Sequence, residues 1–283
     1  ITVDDKYRTT IETDLGKYDL VAKPPEEFPE TPQQKTPEQL DIPGKTLKEI
    51  INATTFAVSK DELKPALTGV LFQVSPSGIT AVSTDGHRLV KYTRKDHSSD
   101  SFTGELIIPK KFLTYMGSHL TEEVVQISVG ENFIGAKIGN DKVLTRVISE
   151  AFPNYETVIP KENNKKLEVE KDLLLGSIRR VAIFSNKATH QVALSLSQEL
   201  CSISTEDPEK SSKAQETISA QYEGDPITIG YNAEYLKDVV SHISGNTVLI
   251  DLNTPVSAAL FSSAAIEEHV ESTMLLMPIR LND

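Results

Sequence analysis

The sequence predicts an α+β fold built from tandem copies of one unit, each copy carrying two helices on one face of β-sheets. Three observations lead there. The order strand, helix, strands, helix, strands occurs twice, with the copies about 125 residues apart, a whole-domain duplication rather than a short solenoid period. Helical periodicity is confined to four short stretches, and most of the rest alternates or is β-branched between Gly, Pro, Ser and Asp. At 283 residues and 38% hydrophobic, the chain is long and apolar enough for more than one packed core.

Taken in order, the first copy opens with the extended segment QLDIP, followed by GKTLKEIINATTFA at 44–57. There Leu47, Ile50, Ile51 and Phe56 fall near one helical stripe. Strands are predicted at TGVLFQV, GITAVS, HRLVKY and GELIIP, a second helix near KKFLTYMGSHL, and further strands at VVQISVG, FIGAKIG and KVLTRVIS. The order then returns. KKLEVEKDLLLGSIRRVAIFSN reads as strand and helix, QVALSLS and LCSIST as strands, and ITIGYNAEYLKDVVSHI as strand and helix; TVLIDLN, SAALFSS and STMLLMPIR close the set. Phe112 corresponds to Tyr235, and residues 57–59 to 183–185.

A third copy shows only its end, where GKYDLVAKPPEEFPE at 16–30 echoes DKVLTRVISEAFPNYE at 141–156. The sequence is therefore expected to start inside a unit, with about 90 residues of that unit lying upstream. Pro- and Glu-rich TPQQKTPEQ at 31–39 and VIPKENNKK at 158–166 read as linkers. The divisions expected are 1–35 for the C-terminal fragment of the first unit, 36–157 for the second and 158–283 for the third.

Charge and motif content narrow the chemistry. The net charge of −12, from 41 acidic against 29 basic residues, argues against a surface that coats nucleic acid all round. It leaves room for a single basic face that meets phosphates. Cys201 is the only cysteine, so neither an intrachain disulfide nor a cysteine-rich metal site is expected, and a reducing, cytoplasmic setting fits. No apolar run approaches the roughly 20 residues of a membrane span, and ITVDDKYRTT resembles no export signal. The six histidines are scattered, and no HExxH, GxSxG, Walker or GxGxxG pattern occurs, so no metal, cofactor or catalytic residue is expected. The alternative is a hydrolase or transferase whose catalytic residues converge from distant loops; Asp251, and Asp85 with His87, are the closest approach to an acid/base pair. Asp85-Gly86 reads more simply as a tight turn.

Five segments occur in a telling order on this repeated framework. They are TDGHRL at 84–89, FPNY at 152–155, FSN at 184–186, NAEYL at 232–236 and MPIRL at 277–281. Together they resemble the bacterial replicative sliding clamp, the β subunit of DNA polymerase III, over nearly the whole chain. The resemblance implies the DNA clamp fold: three similar domains per subunit, six in a head-to-tail homodimer ring, helices lining the hole and sheets at the rim. It implies a processivity factor that encircles double-stranded DNA without sequence specificity and tethers replicative and repair polymerases, loaded by a separate ATP-driven clamp loader.

Two sets of residues follow from the resemblance. The helices carry Lys45, Lys48, Lys110, Lys111, Arg179, Arg180 and Lys237, which are expected to face DNA and to attract its phosphates. A cleft between the second and third divisions is expected to capture peptides of DNA polymerase III, other polymerases and further replication and repair proteins. From the first copy and the linker it would include Leu67, Thr84, Gly86, His87, Arg88, Leu89, Pro153 and Val158. From the second it would include Asn232, Tyr235, Val256, Leu276, Met277, Pro278, Ile279, Arg280 and Leu281. Leu, Val, Met and Pro suit an adaptable apolar pocket, and Arg88, Asn232 and Tyr235 are expected to orient a peptide by hydrogen bonds. Pro278 also favours a tail that lies along a surface over one that continues as a central strand.

Overall fold

The computed structural model describes residues 1–28, 32, 37–97, 99 and 102–281. Two compact units are present, 1–36 and 37–283. The first holds an antiparallel sheet of β1 (Thr2–Val3), β2 (Arg8–Thr13) and β3 (Gly16–Val21), in which Arg8 pairs with Val21 and Thr13 with Gly16. Tyr18, Leu20 and Val21 on β3 are exposed. The expected linker at 31–39 falls largely outside the described residues.

In the larger unit the first copy runs β4 (Glu38–Pro43), α1 (Gly44–Thr54), β5 (Gly69–Ser75), β6 (Gly78–Thr84) and β7 (Arg88–Arg94). It continues through β8 (Gly104–Pro109), α2 (Lys110–His119), β9 (Val124–Val129), β10 (Phe133–Ile138) and β11 (Asp141–Arg146). The second copy has β12 (Lys165–Glu170), α3 (Lys171–Ala182), β13 (Gln191–Ser197), β14 (Leu200–Asp207), β15 (Ser212–Ser219) and β16 (Gln221–Glu223). It ends with β17 (Ile227–Asn232), α4 (Ala233–His242), β18 (Thr247–Leu252), β19 (Ala259–Ser263) and β20 (Val270–Leu276). The predicted helices and strands of both copies are present. Two differences stand out: β15 and β16 are additional to the expected strands, and α3 stops at Ala182 instead of running toward Asn186. There Phe184 and Ser185 donate their backbone N–H groups to Val181 and Ala182, closing a turn.

Strand pairing joins the copies. A nine-stranded sheet runs β16-β12-β18-β19-β20-β7-β6-β5-β8, accompanied by four-stranded sheets β11-β10-β9-β4 and β15-β14-β13-β17. The seam is the antiparallel pair β20 and β7, in register from Val270 opposite Arg94 to Leu276 opposite Arg88. Alternation sends its side chains to two cores. Val90, Met274 and Leu276 enter the core beneath α3 and α4, while Leu89 and Leu275 enter a smaller cluster on the opposite face with Leu71, Val82, Ile107 and Tyr155.

The helices cover one face because their apolar stripes pack in pairs. Leu47, Ile50 and Ile51 of α1 share a core with Leu113 and Met116 of α2; Leu174, Ile178 and Val181 of α3 share another with Leu236, Val239 and Val240 of α4. At the seam α1 lies on β7 and α4 on β20, and the Phe56 and His242 rings stack 3.8 Å apart. Both helix pairs therefore lie on the same side of the shared sheet where the copies meet.

The outer faces of the two copies differ for a physical reason. Pro109, just before α2, pairs with Gly69, and Asn232, just before α4, pairs with Gln191, which sets the copies in register. The apolar trio Leu71, Val82 and Ile107 then corresponds to Ala193, Ser204 and Gly230. In the first copy this face is covered by the connector, with Phe152 and Tyr155 packed on it. In the second copy Ile279 and Leu281 reach this face only at Gly230, and Ala193 and Ser204 are half-buried, so small and polar residues suffice there.

Candidate functional site

The segment 84–89 is a turn wired by its own side chains. Thr84 Oγ1 donates to the Arg88 carbonyl at 2.7 Å and accepts from Gly86 N at 3.1 Å; Asp85 Oδ1 accepts from the backbone N–H groups of His87 and Arg88 at 2.9 and 3.0 Å. Gly86 has a φ of 89°, a region that favours glycine. The turn projects His87 outward and Arg88 inward. The Asp85 carboxylate meets amides and a guanidinium rather than the His87 ring, so no acid/base dyad forms there.

Arg88 crosses the seam. Its Nε donates to Asp85 Oδ2 at 3.1 Å, Nη1 to Asp238 Oδ2 on α4 at 2.7 Å, and Nη2 to the Phe56 carbonyl in the short turn just after α1 at 2.8 Å. The guanidinium also sits 5.3 Å from the Phe56 ring centroid and 4.8 Å from that of Tyr235. On the outward side, His87 stacks on Tyr235 with centroids 5.6 Å apart.

Asn232 is the N-cap of α4. Its Oδ1 accepts from Glu234 N and Tyr235 N at 2.9 and 3.3 Å, and its Nδ2 donates to the Thr189 carbonyl at 3.3 Å. The hydrogen bonds expected to orient a peptide from Arg88 and Asn232 are thus committed within the chain. A guanidinium this buried needs fixed acceptors, and a helix start needs its first amides satisfied.

The C-terminal segment lies across the seam. Met277 N donates to the His87 carbonyl at 2.8 Å and Ile279 N to the Gly230 carbonyl at 2.9 Å. Pro278 stands between these two donors, where its missing N–H costs nothing. The first copy repeats this at Ile148, which donates to Ile107. The structure thus brings His87, Arg88, Tyr235 and Met277 together, with Ile279 and Leu281 against Gly230. Thr84, Leu89 and Leu276 are buried beneath them, and Leu67 is half-buried in the short turn Pro65–Thr68. Val158 on the connector and Val256 on the β18–β19 loop are exposed, as is Arg280. Pro153 is exposed and borders a polar cavity of about 450 Å³ with Gln73, Lys91, Tyr155 and Glu156. Burial beside Glu156 pushes the Tyr155 phenol up to about 12.

The basic helix residues differ in how free their charges are. Lys45, Lys48, Lys111 and Arg179 are exposed. Lys110 is half-buried, and burial, with Lys60 and Arg88 nearby, holds its ammonium below the usual value. Arg180 is held bidentate by Glu216 at 2.8 and 2.6 Å, and Lys237 by Glu234 at 2.8 Å. Lys60 lies outside the expected set; it lines a cavity of about 680 Å³ with Lys110 and Lys111. Asp238 and Phe56 also lie outside it, because no local motif marks a residue that meets Arg88 from across the seam, as Asp238 does, or from a distant part of the same copy, as Phe56 does.

Among the described residues no group of three or more His, Cys, Asp or Glu side chains is placed to hold a metal, and no helix is long and apolar enough to cross a membrane. Cys201 is buried, which pushes its thiol up to about 12.

Comparison with known proteins adds to this geometry. Residues 41–154 match the family model of the DNA polymerase III beta subunit central domain, and 156–280 that of its C-terminal domain. The chain is 29% identical over 279 residues to the beta sliding clamp of Pseudomonas putida, covering 98% of this chain and 75% of the relative. The structure is similar to the crystal structure of the DNA polymerase III subunit beta from Pseudomonas aeruginosa, with a TM-score of 0.89 at 27% identity over 99% of this chain and 76% of the other. It is also similar to a DnaN sliding clamp from Bartonella birtlesii bound to griselimycin, with a TM-score of 0.90 at 26% identity over 98% and 75%.

Proposed function

The chain belongs to the DNA polymerase III beta subunit family, the sliding clamps, and from that premise we propose that it acts as a DNA polymerase processivity factor. It encircles duplex DNA without reading sequence and tethers replicative and repair polymerases, with no catalytic step of its own. A closed ring needs little direct affinity, since topology does the holding and phosphate contacts need only be weak and mobile. Its partners are double-stranded DNA, DNA polymerase III and other polymerases, a clamp loader, and replication and repair proteins that carry clamp-binding peptides. The setting is the cytoplasm.

The observation that carries this reading is the β20–β7 seam: helices of both copies on one side of a shared sheet, and His87, Tyr235 and Met277 gathered where the copies meet. The helix side takes DNA through Lys45, Lys48, Lys110, Lys111 and Arg179, with Arg180 and Lys237 weakened by their carboxylate partners. The seam takes peptides, and griselimycin with them. The domain division follows as 1–35, 36–157 and 158–283.

The same seam supports a homodimer ring. β15 corresponds to β7, and β3 to β20, so β3 of one chain against β15 of another would repeat the internal junction. Ile183 and Phe184 are exposed beside β15, where Ser212 Oγ donates to the Phe184 carbonyl at 3.2 Å, and Tyr18 and Leu20 are exposed on β3.

Primer extension on primed circular DNA, with DNA polymerase III and a clamp loader, tests the proposal. Product length per binding event rises when the protein is added and falls back when griselimycin follows. Product length independent of the protein refutes it.

A further inference from the structure

We propose that Arg88 and Asp238 are positioning residues, a clasp between the two copies that sets the spacing of the peptide cleft without touching the peptide. This inference rests on the seam being that cleft. The Arg88 side chain is 9% exposed and its three hydrogen bonds end on Asp85, Asp238 and the Phe56 carbonyl. Rings of Phe56 and Tyr235 cover its faces, which leaves little of the guanidinium for a ligand.

Asp238 transmits the hold. It lies on α4 three residues after Tyr235, so the two share a helix face and move together. Fixing Asp238 against Arg88 therefore fixes the Tyr235 ring against His87, the pair that meets the cleft. At the far end Phe56 stacks on His242 in the last turn of α4. The resulting stack reads His87, Tyr235, Arg88, Phe56, His242, with Tyr235 and His242 from the second copy and the others from the first. The Asp238 side chain is 44% exposed while Arg88 is buried, so losing Asp238 leaves the guanidinium only its Asp85 and Phe56 acceptors from the first copy; the hold across the seam is lost and the cleft relaxes with it.

Griselimycin calorimetry on Asp238→Asn, Arg88→Lys, Arg88→Ala and the double variant Arg88→Ala/Asp238→Asn gives the first readout. The second is the distance distribution between spin labels at Lys142→Cys and Glu199→Cys, both exposed, in a Cys201→Ala background. Asp238→Asn and Arg88→Lys should each weaken griselimycin about tenfold and broaden the distance distribution, and the double variant should be no worse than Arg88→Ala alone. If Asp238→Asn binds griselimycin as the parent does, with an equally narrow distribution, while Arg88→Ala loses binding, Arg88 is a direct ligand and the clasp is wrong. If the parent itself binds no griselimycin, the cleft reading falls instead. The clasp is then judged on the distances alone, and unbroadened distributions in Asp238→Asn and Arg88→Lys overturn it.

Discussion

Ile279 donates its backbone N–H to the Gly230 carbonyl at 2.9 Å, at a position where the glycine leaves room for little else. A Cβ on residue 230 would lie 2.7 Å from the Ile279 carbonyl oxygen and 2.7 Å from Leu281 Cδ2. In the first copy Ile107 fills the corresponding place and its partner segment, at Ile148, makes a longer 3.3 Å bond. The close approach in the second copy seats the C-terminal segment along β17.

Gly230→Ala is expected to lift that segment. Griselimycin affinity should fall about tenfold, with a stability loss of about 1–3 kcal/mol from overpacking. Calorimetry with parallel amide exchange at Ile279 checks both; unchanged affinity with faster exchange at Ile279 would detach the tail from the cleft.

Tyr231 points the other way in the same strand. Its hydroxyl is buried beside Phe261 without a hydrogen-bond partner among the described residues, and burial pushes the phenol far up. Tyr231→Phe removes an unsatisfied polar group while keeping the ring, and should stabilise the protein by about 1 kcal/mol in urea unfolding. A loss of stability would reveal a partner for this hydroxyl.

Acid should expose one ion pair in particular. Arg94 holds Asp96 through two hydrogen bonds of 2.9 and 2.8 Å and lowers its carboxyl from 3.8 to about 2. Because the folded-state value is the lower one, this contribution is full above the unfolded value and is lost as pH falls through about 2. Stability curves from pH 5 to about 2 should therefore be flatter for Asp96→Asn than for the parent. Parallel curves would place the acid sensitivity elsewhere.

Charge on α1 should matter for DNA more than charge on Arg180. Lys45→Ala/Lys48→Ala is expected to weaken association with duplex DNA alike for all sequences and to reduce the salt slope by about 1 for each phosphate left without its cation. Arg180→Ala should change both less, since Glu216 already meets that guanidinium. Equal effects, read by salt-titrated fluorescence anisotropy, would mean the ion pair opens on DNA.

Much of this architecture is legible from periodicity, because each helix presents a continuous apolar stripe and each core strand is bounded by turn residues. β15 escapes such a reading because only Ala214 and Ile218 on its inner face pack against the core, Glu216 stands between them, and Lys213 and Gln215 on the other face are exposed. The seam is invisible to it because Arg88 and Leu276 are paired across a long stretch of chain with no local trace. Likewise TDGHRL announces a turn but not where the guanidinium goes. Lys237 with Glu234 follows from helical spacing, whereas Arg180 with Glu216 depends on how α3 lies over β15.

The most direct test of topological tethering compares circular and linear DNA. The protein, placed on nicked circular DNA by a clamp loader, should remain through gel filtration and leave promptly once a restriction enzyme opens the circle. Equal rates of loss from circular and linear DNA would contradict encirclement and leave only ordinary surface binding.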